Sequence, residues 1–287
     1  MFDHVFQSEN LEVPLRLSFF IGVLILMAVW ELLAPRRRLS VRKSPRWFSN
    51  LGLVMLNALL LRLMVPVGLT GVALFIQSRA WGLLNIVVLP AWLSIALSVI
   101  ALDLAVYSQH VMFHAVPLLW RLHMVHHADL DFDVSTGLRF HTIEILLSFG
   151  IKAAAVILLG APATAVLIFE ILLNATSMFN HSNIRLPLWL DRLLRLVVVT
   201  PDMHRVHHSV VRRETNSNFG FNLPWWDFVL GTYRDQPAQG HEQMTIGLKQ
   251  FRDETITDRL PRMLFLPFSG EVGEYPVNRG NEEELPK

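Results

Sequence analysis

Two copies of one histidine pattern carry the most chemistry in this chain: His123, His126 and His127 in RLHMVHHAD, and His204, His207 and His208 in MHRVHHSVV. Positions i, i+3 and i+4 of a helix share a face, so two imidazoles of each triplet converge on one point while the third reaches beside it. Neutral imidazole ligates iron, zinc, copper or nickel, which makes HxxHH a metal-binding spacing. A third element, His110 and His114 in YSQHVMFHAV, places two more imidazoles on one helix face. Eight of the twelve histidines thus fall in three clusters. A lone helical histidine is more often a satisfied core or surface residue, but repetition of the spacing argues against coincidence. Zinc takes about four ligands and iron about six, so eight imidazoles predict a dinuclear centre. His141 in LRFHTIE and His181 in MFNHSNIRLP stand alone; from spacing, each could complete a coordination sphere or be unrelated to it. A ligating imidazole usually donates its other N–H to a carboxylate, for which Asp103, Asp129, Asp131, Asp133 and Asp202 are candidates. Asp103, on the helix that bears His110, is the preferred one. The Asp129 to Asp133 run reads instead as a solvated acidic loop.

The elements that must position these residues are apolar. The chain is 52% hydrophobic and 17% charged, with a mean hydropathy of +0.40, which reads as an integral membrane protein. A net charge of +1 and basic residues not interleaved with aromatics exclude a nucleic-acid groove. The absence of cysteine excludes disulfides, thiolate-bound zinc and iron–sulfur clusters within the chain, so redox work would run on histidine-bound metal. A first apolar run, 15–34, is long enough to span a bilayer and is followed by Arg36, Arg37, Arg38, Arg42, Lys43 and Arg46. Asp3, Glu9 and Glu12 precede it, so the positive-inside rule places the N-terminus outside, and the charge order argues against a cleaved signal peptide. A second run covers 51–77, in which Arg62 is either functional or snorkelling and Pro66 is expected to kink the helix. A third covers 83–107 and carries His110 and His114 back to the cytoplasmic face. Between the triplets, 143–176 is broken at Gly160, Ala161 and Pro162, which predicts a membrane hairpin or a re-entrant pair. Either one returns the second triplet to the side of the first. The fold class is therefore all-α, with about four membrane-spanning or re-entrant helices and a cytosolic helical cap holding a histidine-ligated di-metal site.

In order and spacing, HxxxH (His110, His114), HxxHH (His123, His126, His127), the histidine of FNHSN (His181) and HxxHH (His204, His207, His208) resemble the fatty acid hydroxylase and sterol desaturase superfamily of membrane di-iron oxygenases. STGLRFHTIE at 135–144, PDMHRVHHS at 201–209 and TNSNFGFNLPWWDFVLGTYRD at 215–235 extend the resemblance, which covers about 95–250 and is closest to the bacterial branch. It implies a metal-ligand role for His181 as well as the clustered eight. Where many relatives have RFHP, this chain has Arg139, Phe140, His141 and Thr142, which sets His141 apart. The chain divides accordingly into anchor helices with a basic cytosolic loop (1–94), a catalytic region (95–250) and a tail (251–287), partly disordered and without chemistry. His241, at the edge of that tail, reads as a surface residue.

Together the chemistry and the resemblance imply two Fe ions, O2 as co-substrate, and hydroxylation or desaturation of a C–H bond in a membrane lipid. No nucleotide-binding glycine motif, cysteine cluster or cytochrome-like segment is present, so an external ferredoxin, cytochrome or reductase is implied as electron donor. The histidines are expected to face the cytoplasm, with the protein in a bacterial inner membrane. Phe219, Phe221, Trp225, Trp226 and Phe228 read as an aromatic belt rather than a substrate channel. Other readings are a non-redox zinc hydrolase and a metal-binding or transport protein; transport would need polar groups along the membrane interior, whereas these ligands cluster outside it.

Overall fold

The computed structural model describes residues 9–269 and 272–277. Asp3 and most of the terminal segment expected to be disordered lie outside the described residues. Among those described, helices are joined by loops and only isolated backbone bridges form, such as Pro35 to Ile184. The main helices are α1 (Glu9–Leu33), α2 (Lys43–Met64), α3 (Gly68–Ser78), α4 (Ala91–Ala115), α5 (Pro117–His127), α6 (Thr142–Leu159), α7 (Ala163–Asn180), α8 (Leu188–Leu194), α9 (Pro201–His207), α10 (Trp225–Leu230) and α11 (Leu260–Phe265). Five stretches are long and apolar enough to cross a membrane: Leu11–Leu33, Lys43–Ile86, Ala91–Ala115, Thr142–Leu159 and Ala163–Asn180. Much of their apolar surface faces outward, with Leu33 and Ile86 almost fully exposed. Such surface is stable only against lipid, and the protein is integral to a membrane.

The breaks between helices follow from local chemistry. The second apolar run is two helices: α2 ends at Met64, and Pro66 separates it from α3 instead of kinking one helix. Arg62 turns its Nη1 back onto the Pro66 carbonyl at 2.7 Å, satisfying an acceptor at the helix end. The third run is a single turn at Leu83–Ile86 followed by α4, whose start Pro90 fixes, so His110 and His114 fall in its last two turns. Extended Val116 and Pro117 at the first helical position then fold α5 back against α4. That return sets the first triplet opposite His110 and His114.

The Gly-Ala-Pro break behaves as expected. Gly160 closes α6 in the left-handed conformation (φ 68°), and Pro162 opens α7. A Cβ on Gly82 would sit 2.2 Å from the Gly160 nitrogen, so the loop at 81–85 and the break pack backbone to backbone. Asn85 Nδ2 bridges them by donating to the Trp81 and Gly160 carbonyls. With α6 about 27 Å long at helical rise, both turns lie at the end of the bundle away from the histidines. The chain leaves the histidine end along α6 and comes back along α7; α3 and α4 pack against both.

At the histidine end the core is polar. The 128–139 segment, read above as a solvated acidic loop, is buried along its whole length. The cause lies in the basic stretch after α1, whose arginines do more than mark topology. Arg46 donates Nε and Nη2 to Asp129 at 2.6 and 2.9 Å and Nη1 to Asp133 at 2.8 Å. Asp131 accepts the Ser40 and Val41 amides, and Arg36 pairs with Asp202 at 3.1 Å. Burial alone would raise the Asp129 pKa; Arg46 and Arg139 bring it down to about 2. The 272–277 stretch, expected to be mobile and without chemistry, is seated on this core: Trp120 Nε1 donates to the Val272 carbonyl and stacks on Tyr275. His241, read as a surface residue, is buried 3.7 Å from Asp202.

Candidate metal centre

Nine histidines meet where α4, α5, α7 and α9 converge, each no more than 4% exposed. They sort into two groups whose nitrogens all lie within 4.8 Å of one another: His110, His114, His123, His127 and His207; and His126, His181, His204 and His208. The i, i+4 pair of each triplet enters one group and the remaining histidine enters the other. His123 and His127 share the first group while His126 joins the second; His204 and His208 share the second while His207 joins the first. Each triplet therefore ties the two groups together, and the rings of His127 and His208 stack across the boundary at 4.6 Å. All nine residues expected from spacing and resemblance are here.

Local structure explains how they are aimed. Thr200 caps α9 by accepting the Met203 amide, and Pro201 occupies its first position, which starts the helix three residues before His204. Gly137 lets the 128–139 segment touch α7, because a Cβ there would meet the Ser177 carbonyl at 2.5 Å. That same carbonyl accepts His181 Nδ1 at 2.8 Å.

The outer nitrogens fix the tautomers. Nδ1 donates to the Phe219 carbonyl in His110 (2.8 Å), to Arg139 in His126 (3.2 Å), to Ser217 in His207 (2.8 Å) and to Asn216 Oδ1 in His114 (3.0 Å). In His123 it donates to Glu144 Oε1 at 2.6 Å. A carbonyl or carboxylate oxygen can only accept, so in the neutral ring the inner Nε2 carries the lone pair. Those lone pairs point at one another: His110 and His123 face Nε2 to Nε2 at 3.1 Å, and so do His126 and His181. Two lone pairs held that close repel unless a cation lies between them. His207 Nε2 and both nitrogens of His208 are buried without any partner. A neutral, all-nitrogen donor set with orphaned inner atoms fits metal ions. Burial, reinforced by neighbouring imidazoles, drives the pKa values of His126, His127, His204, His207 and His208 well below 6.5 and that of His181 to about 3, which keeps these rings in the ligating form.

Two expectations change. His141 stands outside both groups: it caps α6 by accepting the Ile143 amide at 3.2 Å and engages the Leu264 carbonyl with Nε2. Asp103 accepts no imidazole N–H. It takes the Trp226 indole at 2.8 Å and the Asn222 and Leu223 amides at 3.3 Å, and so anchors the loop whose Phe219 carbonyl holds His110. The carboxylate that does orient one of the clustered imidazoles is Glu144, which sequence reading missed although it sits three residues into a capped helix in RFHTIE. Asp227 was missed as well; it accepts the Phe219 and Gly220 amides at 2.8 Å. The aromatic residues also divide. Phe219 and Phe221 are buried against the imidazoles and Trp226 is tied to Asp103, while Trp225 and Phe228 remain exposed as belt residues.

Comparison with known proteins agrees with this geometry. Residues 95–232 match the fatty acid hydroxylase family model. An ornithine lipid hydroxylase of Rhizobium tropici is 32% identical over 149 residues, covering 52% of this chain and 44% of that protein. The alkylglycerol monooxygenase of Homo sapiens is 29% identical over 160 residues, 55% of this chain and 33% of the relative. The cholesterol 25-hydroxylase of Homo sapiens is 30% identical over 134 residues, 46% and 48% respectively. The chain thus spans less than half the length of these relatives. No solved structure matches the chain. The segment at 95–232, which carries both histidine groups, is thus similar to the fatty acid hydroxylase family, in a chain with five helices fit to span a membrane.

Proposed function

We propose that the protein is an O2-dependent oxidoreductase that hydroxylates a C–H bond of a membrane lipid at two histidine-held irons, with electrons from an external donor such as a ferredoxin, cytochrome or reductase. The observation that carries this reading is the division of nine buried imidazoles into two adjoining groups. Iron bound there supplies the O2 and C–H chemistry that no side chain performs unaided. The chain's own residues do the rest. Glu144 holds the His123 Nδ1 proton, and the Phe219 and Ser217 carbonyls hold those of His110 and His207, so the inner nitrogens stay unprotonated. Phe140 stacks on His126 at 4.4 Å, and Phe221 lies about 6 Å from His110, His181 and His204, which keeps water off that side of the site.

On this reading residues 95–250 are the catalytic region, 1–94 the anchor and 251–287 a tail, of which 272–277 pack on the core at the histidine end. The histidine end forms a cytosolic cap at a bacterial inner membrane, with the N-terminus outside. Support comes from the basic stretch at 36–46, which packs on the histidine end, and from the two turns gathered at the opposite end.

Comparative lipid analysis tests the activity. Cells expressing the protein under O2 should accumulate a lipid one oxygen heavier than its precursor. That product should be absent without O2 and absent in cells expressing His207→Ala. Identical lipids in all three samples would refute the reading.

A further inference from the structure

Between α2, α4, α6 and α7 lies a cavity of about 280 Å³ that the metal chemistry does not use. Its floor is Phe140, Phe221 and Glu144, the residues that separate it from the imidazoles. Its walls are largely apolar, which suits an alkyl chain. Higher up, Gln109, Ser148 and Lys152 converge on it. Lys152 is two turns beyond Glu144 on α6, about 12 Å along the axis. Its ammonium has three donors and makes no hydrogen bond among the described residues, with the Glu170 carboxylate as its nearby opposite charge. Glu170, on the same cavity wall, is already paired at 2.6 Å with Arg16, which also bonds Glu12 and Thr70. Gln109 Nε2 donates to Ser148 at 3.1 Å, leaving Gln109 Oε1 buried with no donor. An ammonium inside a bilayer is costly, and one facing a cavity beside an unsatisfied acceptor is a binding group awaiting a ligand.

The unmet donors and the unmet acceptor specify that ligand's chemistry. It must accept from Lys152 and donate to Gln109 within an otherwise apolar space. A hydroxyl, whose oxygen both accepts and donates, satisfies both at once. We infer that this cavity is the chamber for the substrate's alkyl chain and that Lys152 and Gln109 bind a hydroxyl-bearing carbon of that chain, one to two helical turns beyond the Glu144 floor. The inference rests on the lipid-oxygenase reading for the identity of the substrate but not for the existence of the site. A second hollow, about 160 Å³, opens on the lipid side of α1 and α7 and shares Glu170 and Asn174 with the chamber.

Photolabelling of the full chain in nanodiscs tests the site without metal turnover. Three C16 probes carry the same mid-chain diazirine: an alcohol, its methyl ether and the parent hydrocarbon. The alcohol should label residues lining the chamber about tenfold more than the other two, the size expected for pairing buried polar groups. Lys152→Met and Gln109→Leu should each erase that preference while hydrocarbon labelling persists, and Lys152→Arg should retain it. Ile145→Trp, which fills the chamber, should abolish labelling by all three. Equal labelling of wild type by the three probes would overturn the hydroxyl assignment. Chamber labelling that survives Ile145→Trp, or that never occurs, would overturn the chamber. Because the readout needs neither iron nor O2, a protein that binds the alcohol yet oxidises nothing would count against the oxygenase reading alone.

Discussion

In the spanning bundle Leu33, Leu63 and Ile86 are 79%, 68% and 78% exposed, whereas at the histidine end Arg46, Asp129, Asp133 and Arg139 are 0% exposed. The two regions reverse the usual placement of apolar and charged side chains, each for its own physical reason. Lipid solvates a leucine as well as a protein core does, so the bundle gains little by covering it. A charge withdrawn from water needs both an opposite charge and hydrogen bonds; the 128–139 segment receives them from Arg46, and its own Ser135, which accepts from Asn50, donates to Asp133. The bundle can therefore vary on its surface, while the histidine end is a single network in which one missing partner leaves another group stranded.

Substitutions should separate the regions accordingly. The largest effect belongs to the imidazoles. His126→Ala and His207→Ala, one from each group, should each leave no measurable product and less bound metal; full activity in both would sink the ligand assignment. Arg46→Met comes next, because it leaves Asp129 buried and uncompensated. It should cost about 3–5 kcal/mol, read as a large drop in thermal midpoint or a failure to purify folded protein. Glu144→Gln preserves shape but weakens the hold on His123, and should lower metal affinity about 10- to 100-fold in a competition titration.

A smaller effect is expected from His241. Burial lowers its pKa to about 3 despite the pull of Asp202, against an unfolded value of 6.5. The unfolded chain binds the extra proton, so the stability from neutral His241 is complete above about pH 6.5 and declines as pH falls toward 3. His241→Gln should flatten the fall in thermal midpoint between pH 6.5 and 4.5; an unchanged slope would assign that fall to other groups. Leu63→Ala, on the lipid face, should change stability by under about 0.5 kcal/mol.

Much of this was legible in the sequence because helical spacing is a geometric rule. His123 and His127, or His204 and His208, must share a face wherever the helix goes, and Gly160–Pro162 must break one. The eight clustered histidines and the return between triplets followed from those constraints, while His181 entered only through the family resemblance. What stayed hidden depends on partners distant in the chain. Asp129 and Asp133 look like a solvated loop until Arg46, more than eighty residues earlier, is laid against them. His141 looks like a ligand until its ring is found capping α6. Tyr275 looks like a loose tail until it stacks on Trp120. Glu144 was a nearby signal left unread, a carboxylate in the first turn of a helix that begins beside the site.

The central claim is that the nine imidazoles form two metal sites. Iron analysis of anaerobically purified protein, joined to Mössbauer spectroscopy, addresses it directly. The account predicts about two irons per chain in a coupled pair, with the coupling lost in both His126→Ala and His207→Ala. One isolated metal ion per chain, or zinc with no O2 consumption under reductant, would contradict it.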